Sequence, residues 1–497
     1  MKPIAIGSRR ELLLDDHLLE RFGGTAALTL HRPVRREIVF PLQSDPVVLE
    51  KGNGLRAGHA YMTVFQDGGV YRMYYGVTRH HFEPEKSVRL THYAESRDGI
   101  HWETPSLGLF EFEGSRDNNV VWMEDESGRT GDEGFAPFRD ENPACDPRFR
   151  YKALAKPGRL GSKRLGGRGL VALGSPDGIH WEMMAPGHVI TDGAFDSQNL
   201  AFWDAVRGEY RAYWRDFYTG PNGKHWRGIK TAVSSDFRHW TQGEWLQYPA
   251  AVPDQLYTNQ VVPYFRAPHL FVGFPSRYVE RTWTDAVADL PEPERRRSII
   301  ERTGSERIGA AVTDTLFMSS RDGVEFRLWG EAFVPPGLRP IDNWIYGDNY
   351  ANWGIVTTKS DVEGAPDELS IYLSEGSRRD HYSKVYRRYT LRMDGFVSVR
   401  AGRYGGEVVT KPLTFTGHEL EINFAASAAG EVRVEIQDAH GVPVPGFALD
   451  DSVEALGDDL ERRIRWRSGT DLAPLAGTPV KVRFHLVDAD LYAFHFV

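Results

Sequence analysis

The chain carries one cysteine in 497 residues, Cys145, so it can hold no internal disulfide. Cys145 sits in the polar stretch Asn142-Pro143-Ala144-Cys145-Asp146-Pro147 without a histidine beside it, which argues against a catalytic thiol. No apolar run approaches the ~20 residues of a membrane span. The N-terminus lacks the basic-then-apolar pattern of a secretory signal, so a cytoplasmic chain with no membrane partner is the expectation. Excess positive charge is also missing. Lys and Arg total 60 against 69 Asp and Glu, a net charge of −9, which speaks against nucleic acid or an anionic lipid surface as a partner. Histidines with metal-ligand spacing are absent too: His80 and His81 are adjacent rather than set on one face. No metal and no cofactor is expected.

What is present is a repeated turn. Ser96-Arg97-Asp98-Gly99-Ile100-His101-Trp102 returns as Ser175-Pro176-Asp177-Gly178-Ile179-His180-Trp181, as Ser234-Ser235-Asp236-Phe237-Arg238-His239-Trp240 and as Ser320-Arg321-Asp322-Gly323-Val324-Glu325-Phe326. A fifth, shorter echo is Met393-Asp394-Gly395-Phe396. Asp-Gly suits a tight turn because Asp bonds its own backbone and Gly takes positive φ. Each copy follows strand-like runs such as Val70–Tyr75, Tyr151–Ala155, Glu209–Trp214, Leu270–Phe274 and Leu369–Leu373, so one supersecondary unit is used five times. The reading is all-β: a five-bladed β-propeller over 1–395, with segment 1–33 closing the ring, followed by a β-sandwich over 396–497, where strictly alternating strands begin. Two stretches interrupt the grammar. The charged, helix-forming insert 279–307 reads as a solvated surface helix, or else a lid or subunit contact. The Gly-rich stretch 158–169, with Arg159, Lys163, Arg164 and Arg168, reads as a flexible basic loop with anion binding as the lesser option.

In a propeller, the starts of first strands and the ends of second strands share one rim. Polar residues gather there: His59, Asp196, Tyr257, Asn259, Trp344, Asp348 and Asn349 at first strands, and Arg215, Asp216, Arg277 and Glu375 at second strands. Paired carboxylates among aromatics suit glycosidic bond cleavage, in which one acid protonates the leaving oxygen and a second carboxylate attacks or activates water. Aromatics reach 12% of the chain, which fits both β-sheet packing and sugar stacking. Asp196 is the first choice for nucleophile or base. Glu375, at the end of an apolar strand, is the first choice for acid, on the expectation that burial raises its pKa. Asp348 and Asp216 are alternates for either role. Arg215 and Arg277 would hold a hydroxyl, carboxylate or phosphate, with His59, Tyr257, Asn259, Trp344 and Asn349 completing the substrate site.

The five units, the Asp-Gly-Ile-His-Trp turns and the trailing sandwich resemble the five-bladed propeller glycosidases, the invertase and levanase type and their arabinanase and xylosidase relatives. As architecture, the resemblance covers nearly the whole chain. The invertase signature Trp-Met-Asn-Asp-Pro-Asn-Gly is absent. Ser44-Asp45-Pro46-Val47 looks like the Asp-Pro opening of the arabinanase group, which makes Asp45 a counterpart of the nucleophile or base. Trp214-Arg215-Asp216-Phe217 is similar to the family's Arg-Asp-Pro motif without its proline. The resemblance implies a glycoside hydrolase acting on furanosides or small oligosaccharides. Two other readings stay open: a propeller phosphorylase, with Arg215, Arg277 and His59 on phosphate, and a non-catalytic carbohydrate-binding propeller. A sialidase fits less well, since sialidases have six blades. The sandwich either binds sugar or braces the propeller and supports homo-oligomerisation.

Overall fold

The computed structural model describes residues 2–41, 61–79, 88–125, 129, 133–249, 254–339, 343–376 and 384–497. Asp45, His59, His80 and His81 lie outside them. The fold is all-β, with five antiparallel blade sheets and one ten-stranded sandwich unit. The leading strands of the blades are Met62–Asp67 and Val70–Arg79 in blade I, Glu133–Arg139 and Tyr151–Lys156 in blade II, Leu200–Asp204 and Glu209–Thr219 in blade III, Val262–Tyr264 and Ala267–Gly273 in blade IV, and Tyr350–Ala351 and Glu368–Glu375 in blade V. Blade strands are packed on both faces. Ala212, Tyr213 and Trp214 of one strand are therefore all buried, and the sequence shows a short apolar run there instead of strict alternation. At the axis a buried amide relay joins the blades. Gln198 Nε2 donates to Thr63 Oγ1 (2.9 Å), while Gln260 Nε2 donates to Gln198 Oε1 (2.8 Å) and to the Ala351 carbonyl (2.9 Å).

The repeated turn is a side-chain-built loop. In blade I the Ser96 hydroxyl accepts from Gly99 N (2.9 Å), Asp98 Oδ1 accepts from Ile100 N and His101 N (both 2.8 Å), and the His101 ring bonds Asp98 Oδ2 (2.7 Å). The same backbone bonds recur around Asp177, Asp236 and Asp322. The glycine is needed for its backbone and for its lack of a Cβ, which at Gly99, Gly178 and Gly323 would lie 3.1, 2.7 and 2.9 Å from the hydroxyls of Tyr372, Tyr74 and Tyr213. Gly99, Gly178 and Gly323 have φ of 74°, 81° and 82°. Each of their carbonyls also accepts a tyrosine hydroxyl from the preceding blade: Tyr372 to Gly99 (2.6 Å), Tyr74 to Gly178 (2.8 Å) and Tyr213 to Gly323 (2.8 Å). Blade II breaks the series. Tyr74 and Tyr213 stand three residues beyond the partners of Ser96 and Ser234, but the corresponding residue of blade II is Leu154. The turn facing it carries Phe237 at φ 66°, fully buried against Phe138 and Tyr210. Where the tyrosine is missing, a phenyl ring on the turn fills the space. The fifth echo is a different structure: Asp394 takes the positive φ (62°) and its carboxylate accepts from the Tyr264 hydroxyl (2.7 Å).

One compact unit comprises Met1–Arg32, Tyr264–Ala267 and Leu391–Val497, and the other Pro33–Pro263 and Pro268–Thr390. Segment 1–33 thus does not close the ring as expected. Ile4–Gly7 pairs in parallel with Leu413–Phe415, Leu19–Gly24 pairs with Gly406–Thr410, and Ala27–Leu30 with Val397–Ala401. Ile6, Leu13, Leu18 and Leu19 enter the same core as Ile422, Phe424, Val434 and Phe484, so apolar burial decides the placement. The ring is closed by Val34–Pro41 against Val385–Leu391. That strand hides its role behind charge: Arg35, Arg36 and Glu37 pair with Glu375, Glu368 and Arg388.

Both interruptions are structured. Residues 159–165 form a short helix, and Glu124 already accepts from the amides of Gly158 (2.6 Å), Leu160 (3.0 Å) and Gly161 (3.2 Å), so that end is neutralised from within. The insert contains helices Asp285–Ala288, Pro293–Thr303 and Glu306–Ala310. The longest of these is a surface helix with most residues exposed, as expected, but it is anchored from beneath: Arg296 is fully buried and donates to the carbonyls of Pro291 (2.8 Å), Gly309 (3.1 Å) and Trp344 (2.9 Å).

Candidate active site

Strand alternation in blade III sets the site. In Glu209–Thr219, Arg215 and Phe217 face one way and Asp216 the other. Arg227 lies opposite Phe217 on the next strand and so shares its face. Arg215 is buried, forms an ion pair with Asp196, and lies 4.9 Å from the Phe217 ring and 4.8 Å from the Tyr257 ring. Arg227 lies 5.1 Å from the Tyr257 ring and 4.4 Å from that of Tyr278, and donates to Gln255 Oε1 (2.7 Å). Arg307, from the insert, lies 5.3 Å from the Tyr346 ring. The Tyr346 hydroxyl donates to that of Tyr257 (2.9 Å), and Tyr350 packs on Tyr257 at 5.6 Å. Three predicted residues, Asp196, Arg215 and Tyr257, therefore meet within an arginine–tyrosine cage. The side chain of Asp196 remains 54% exposed.

The cage perturbs its own phenols. Burial works to raise the Tyr257 pKa, but Arg215, the Tyr346 hydroxyl and Arg227 outweigh it and hold the group below its ordinary value. Tyr350 lies well above its ordinary value, through burial and then the phenols of Tyr346 and Tyr257. Next to Gln255, Asp254 has a raised pKa. Burial is the main cause, and the neighbouring Asp314 adds to it against the opposing pull of Arg277. Asp254, Gln255, Trp226 and Tyr278 line a cavity of about 560 Å³.

The other predicted residues are committed elsewhere. Glu375 is buried and accepts from Arg35 (2.6 Å), Arg387 (2.9 Å) and the Tyr389 hydroxyl (2.8 Å). Burial alone would raise its pKa, yet these donors leave it lowered, the reverse of what an acid needs. Asp216 pairs with Lys230 at 2.8 Å on the opposite face of its strand from Arg215. Asp348 is fully buried, and its carbonyl accepts from Thr313 Oγ1 (2.8 Å). Asn349, at φ 59°, donates to the carbonyls of Thr313 (2.9 Å) and Asn343 (2.8 Å), a loop brace. Arg277 is the exception and stays at the edge of the site: it forks onto Asp314 (2.9 and 2.6 Å) and lies 3.7 Å from Asp254. Asn259 is buried, with its Oδ1 accepting from Val261 N (3.3 Å). Trp344 Nε1 donates to the Gly337 carbonyl (3.0 Å). Sequence reasoning missed Asp254, Arg227 and Arg307. Arg227 had a signal, its register opposite Phe217, whereas Arg307 is one charge among many in the insert.

No family model matches the chain. Two curated relatives from Mycobacterium tuberculosis, the uncharacterized proteins Rv1502 and MT1551, are each 34% identical over 103 residues, 20% of this chain. The chain spans 31% of the length of these relatives. Among solved structures, the chain is similar to a Bombyx mori GH32 beta-fructofuranosidase, BmSUC1, with 9% identity, TM-score 0.40 and 94% of each chain covered. It is similar also to a beta-1,2-mannobiose phosphorylase from Listeria innocua, with 13% identity, TM-score 0.43, and coverage of 72% of this chain and 96% of the other.

Proposed function

We propose that this chain is a glycoside hydrolase working at the mouth of the arginine–tyrosine cage, with Asp254 as general acid and Asp196 as nucleophile or base. The observation that carries this reading is the contrast between two carboxylates. Asp254 sits on the wall of a sugar-sized cavity with a raised pKa. Asp196 is half exposed and paired with a buried arginine, an arrangement that favours the anion. In the reaction, the Asp254 proton passes to the leaving glycosidic oxygen as the anomeric C–O bond breaks. Asp196 either takes a proton from the water whose oxygen forms the new bond, or attacks the anomeric carbon itself. Trp226, on the same cavity wall, is the aromatic ring placed to stack on the sugar.

The test is turnover of a panel of aryl glycosides by the wild type and by Asp196→Asn and Asp254→Asn. Each variant should lose about 10²–10⁴-fold in kcat while keeping its circular dichroism and its affinity for the sugar product within a few fold. Wild-type turnover that survives both substitutions refutes the assignment. Sugar binding without turnover of any glycoside leaves a carbohydrate-binding propeller instead.

A further inference from the structure

The cage holds more positive charge than the proposed chemistry uses. Elsewhere in the blades, several partly or fully buried arginines are matched by carboxylates, Arg35 by Glu375, Arg72 by Asp67, Arg207 by Asp204, Arg277 by Asp314 and Arg388 by Glu37, while fully buried Arg296 is answered by three carbonyls. In the cage, Asp196 answers Arg215. Among the described residues no carboxylate pairs with Arg227 or Arg307, whose neighbours are phenol rings and Gln255. The Nε atoms of Arg215 and Arg227 are buried and have no hydrogen-bond partner among the described residues. Burial holds the Arg227 pKa below its ordinary value, and the charges of Arg215 and Arg307 add to the effect. Like charges held together in a partly dry cage are costly unless an anion is shared between them, and a guanidinium's planar fork fits a two-oxygen anion. The cage is also built for the purpose from separate parts: two arginines from one blade sheet and the third from an insert anchored by fully buried Arg296.

We propose that Arg215, Arg227 and Arg307 form an oxyanion subsite, so that the sugar bound here carries an acidic group or binds together with inorganic phosphate. This rests on the reading of the cage as a glycoside site, but the binding test does not depend on turnover. In the first case the ligand is an acidic sugar whose carboxylate lies in the fork of the arginines. In the second, a phosphate oxygen takes the place of water at the anomeric carbon. The sugar 1-phosphate forms as the glycosidic C–O bond breaks, and the leaving oxygen takes the Asp254 proton.

The experiment is calorimetric binding of sodium glucuronate, sodium phosphate and neutral glucose to the full chain, at low and high ionic strength. At least one anion should bind about 10-fold or more tightly than glucose and weaken with salt. Arg227→Gln and Arg307→Gln should each weaken that anion by about 10–100-fold, as expected for a lost charged hydrogen bond, and weaken glucose by much less. Arg307→Lys, which keeps the charge and loses the fork, should fall between. Preference for glucuronate identifies an acidic sugar, and preference for phosphate identifies phosphorolysis. The proposal is overturned if neither anion binds the folded wild type better than glucose, or if the folded variants bind it equally well. A phenolate absorbance band at neutral pH that is indifferent to both anions also overturns it, because Tyr257 then supplies the counter-charge. Turnover of neutral glycosides without anion binding removes the subsite alone. Anion binding without turnover of any glycoside, with or without phosphate, removes the hydrolase reading alone.

Discussion

The tyrosine latches between blades yield a double-mutant cycle whose sign is set by geometry. A Cβ added at Gly178 would lie 2.7 Å from the Tyr74 hydroxyl and 2.8 Å from Arg72 Nη1, on a backbone with φ of +81°. Gly178→Ala should therefore cost about 1–2 kcal/mol for the left-handed conformation. Displacing a fully buried phenol from its 2.8 Å bond adds about 1–3 kcal/mol. Tyr74→Phe alone leaves the Gly178 carbonyl unanswered at about 1–3 kcal/mol. Once the hydroxyl is gone, its clash with the new methyl disappears and its bond cannot be lost twice. The double variant should thus be less destabilised than the sum of the singles by about 1–3 kcal/mol. Urea denaturation followed by far-UV circular dichroism, read at the transition of the blade unit, measures all four states. Strict additivity, or a Gly178→Ala cost that is no smaller in the Tyr74→Phe background, would show that glycine is there for its backbone alone and that the latch does not constrain the turn.

Phe237→Gly tests the exception: it relieves about 1 kcal/mol of backbone strain but loses a fully buried ring worth about 3–5 kcal/mol, so the net urea midpoint should fall. A higher midpoint would contradict the packing account. Glu375 has a folded pKa below its ordinary 4.5. Its contribution to stability is therefore complete above that value and lost as pH falls through the folded pKa. Glu375→Gln should lower stability at neutral pH and flatten the acid limb of the melting-temperature profile. If Asp254 is the acid, Asp314→Asn removes a charge that raises its pKa. The alkaline limb of the kcat/KM profile should then move to lower pH, and movement the other way would exclude the role. The Cys145 thiol is held above its ordinary pKa by burial and by Asp140, so alkylation by iodoacetamide should be slower than for a free thiol at neutral pH and rise with pH.

Legibility in the sequence tracked the range of the interaction. The four turns could be read because Ser, Asp and Gly bond atoms two or three residues away. That Asp196, Arg215 and Tyr257 lie together could be read because strand ends in a propeller share one rim. Glu375 was misjudged because its neutralising partner, Arg35, lies 340 residues away in a strand that reads as too charged to be structural. Segment 1–33 was misplaced for the same reason: two sheets compete for one apolar strand, and local pattern cannot choose between them. Asp394 matched the turn's spelling without the serine two residues before it, and lacking that hydroxyl it took a different shape.

The division of the chain has a consequence for biosynthesis. Thr25 bonds the Gly405 carbonyl across 380 residues, and all the N-terminal strands up to Leu30 find their partners beyond residue 390. The blade unit thus lies between the two ends of the sandwich unit's sequence, interrupted only by Tyr264–Ala267. On the ribosome, the first strands emerge with their apolar face exposed and must wait while a whole ring is translated. The blades need no such delay, since their strands pair mostly with the next strand to emerge, except for the last, which retrieves Val34–Pro41. The ring should therefore fold first and bring the two distant halves of the sandwich together, converting a slow long-range search into a short local one.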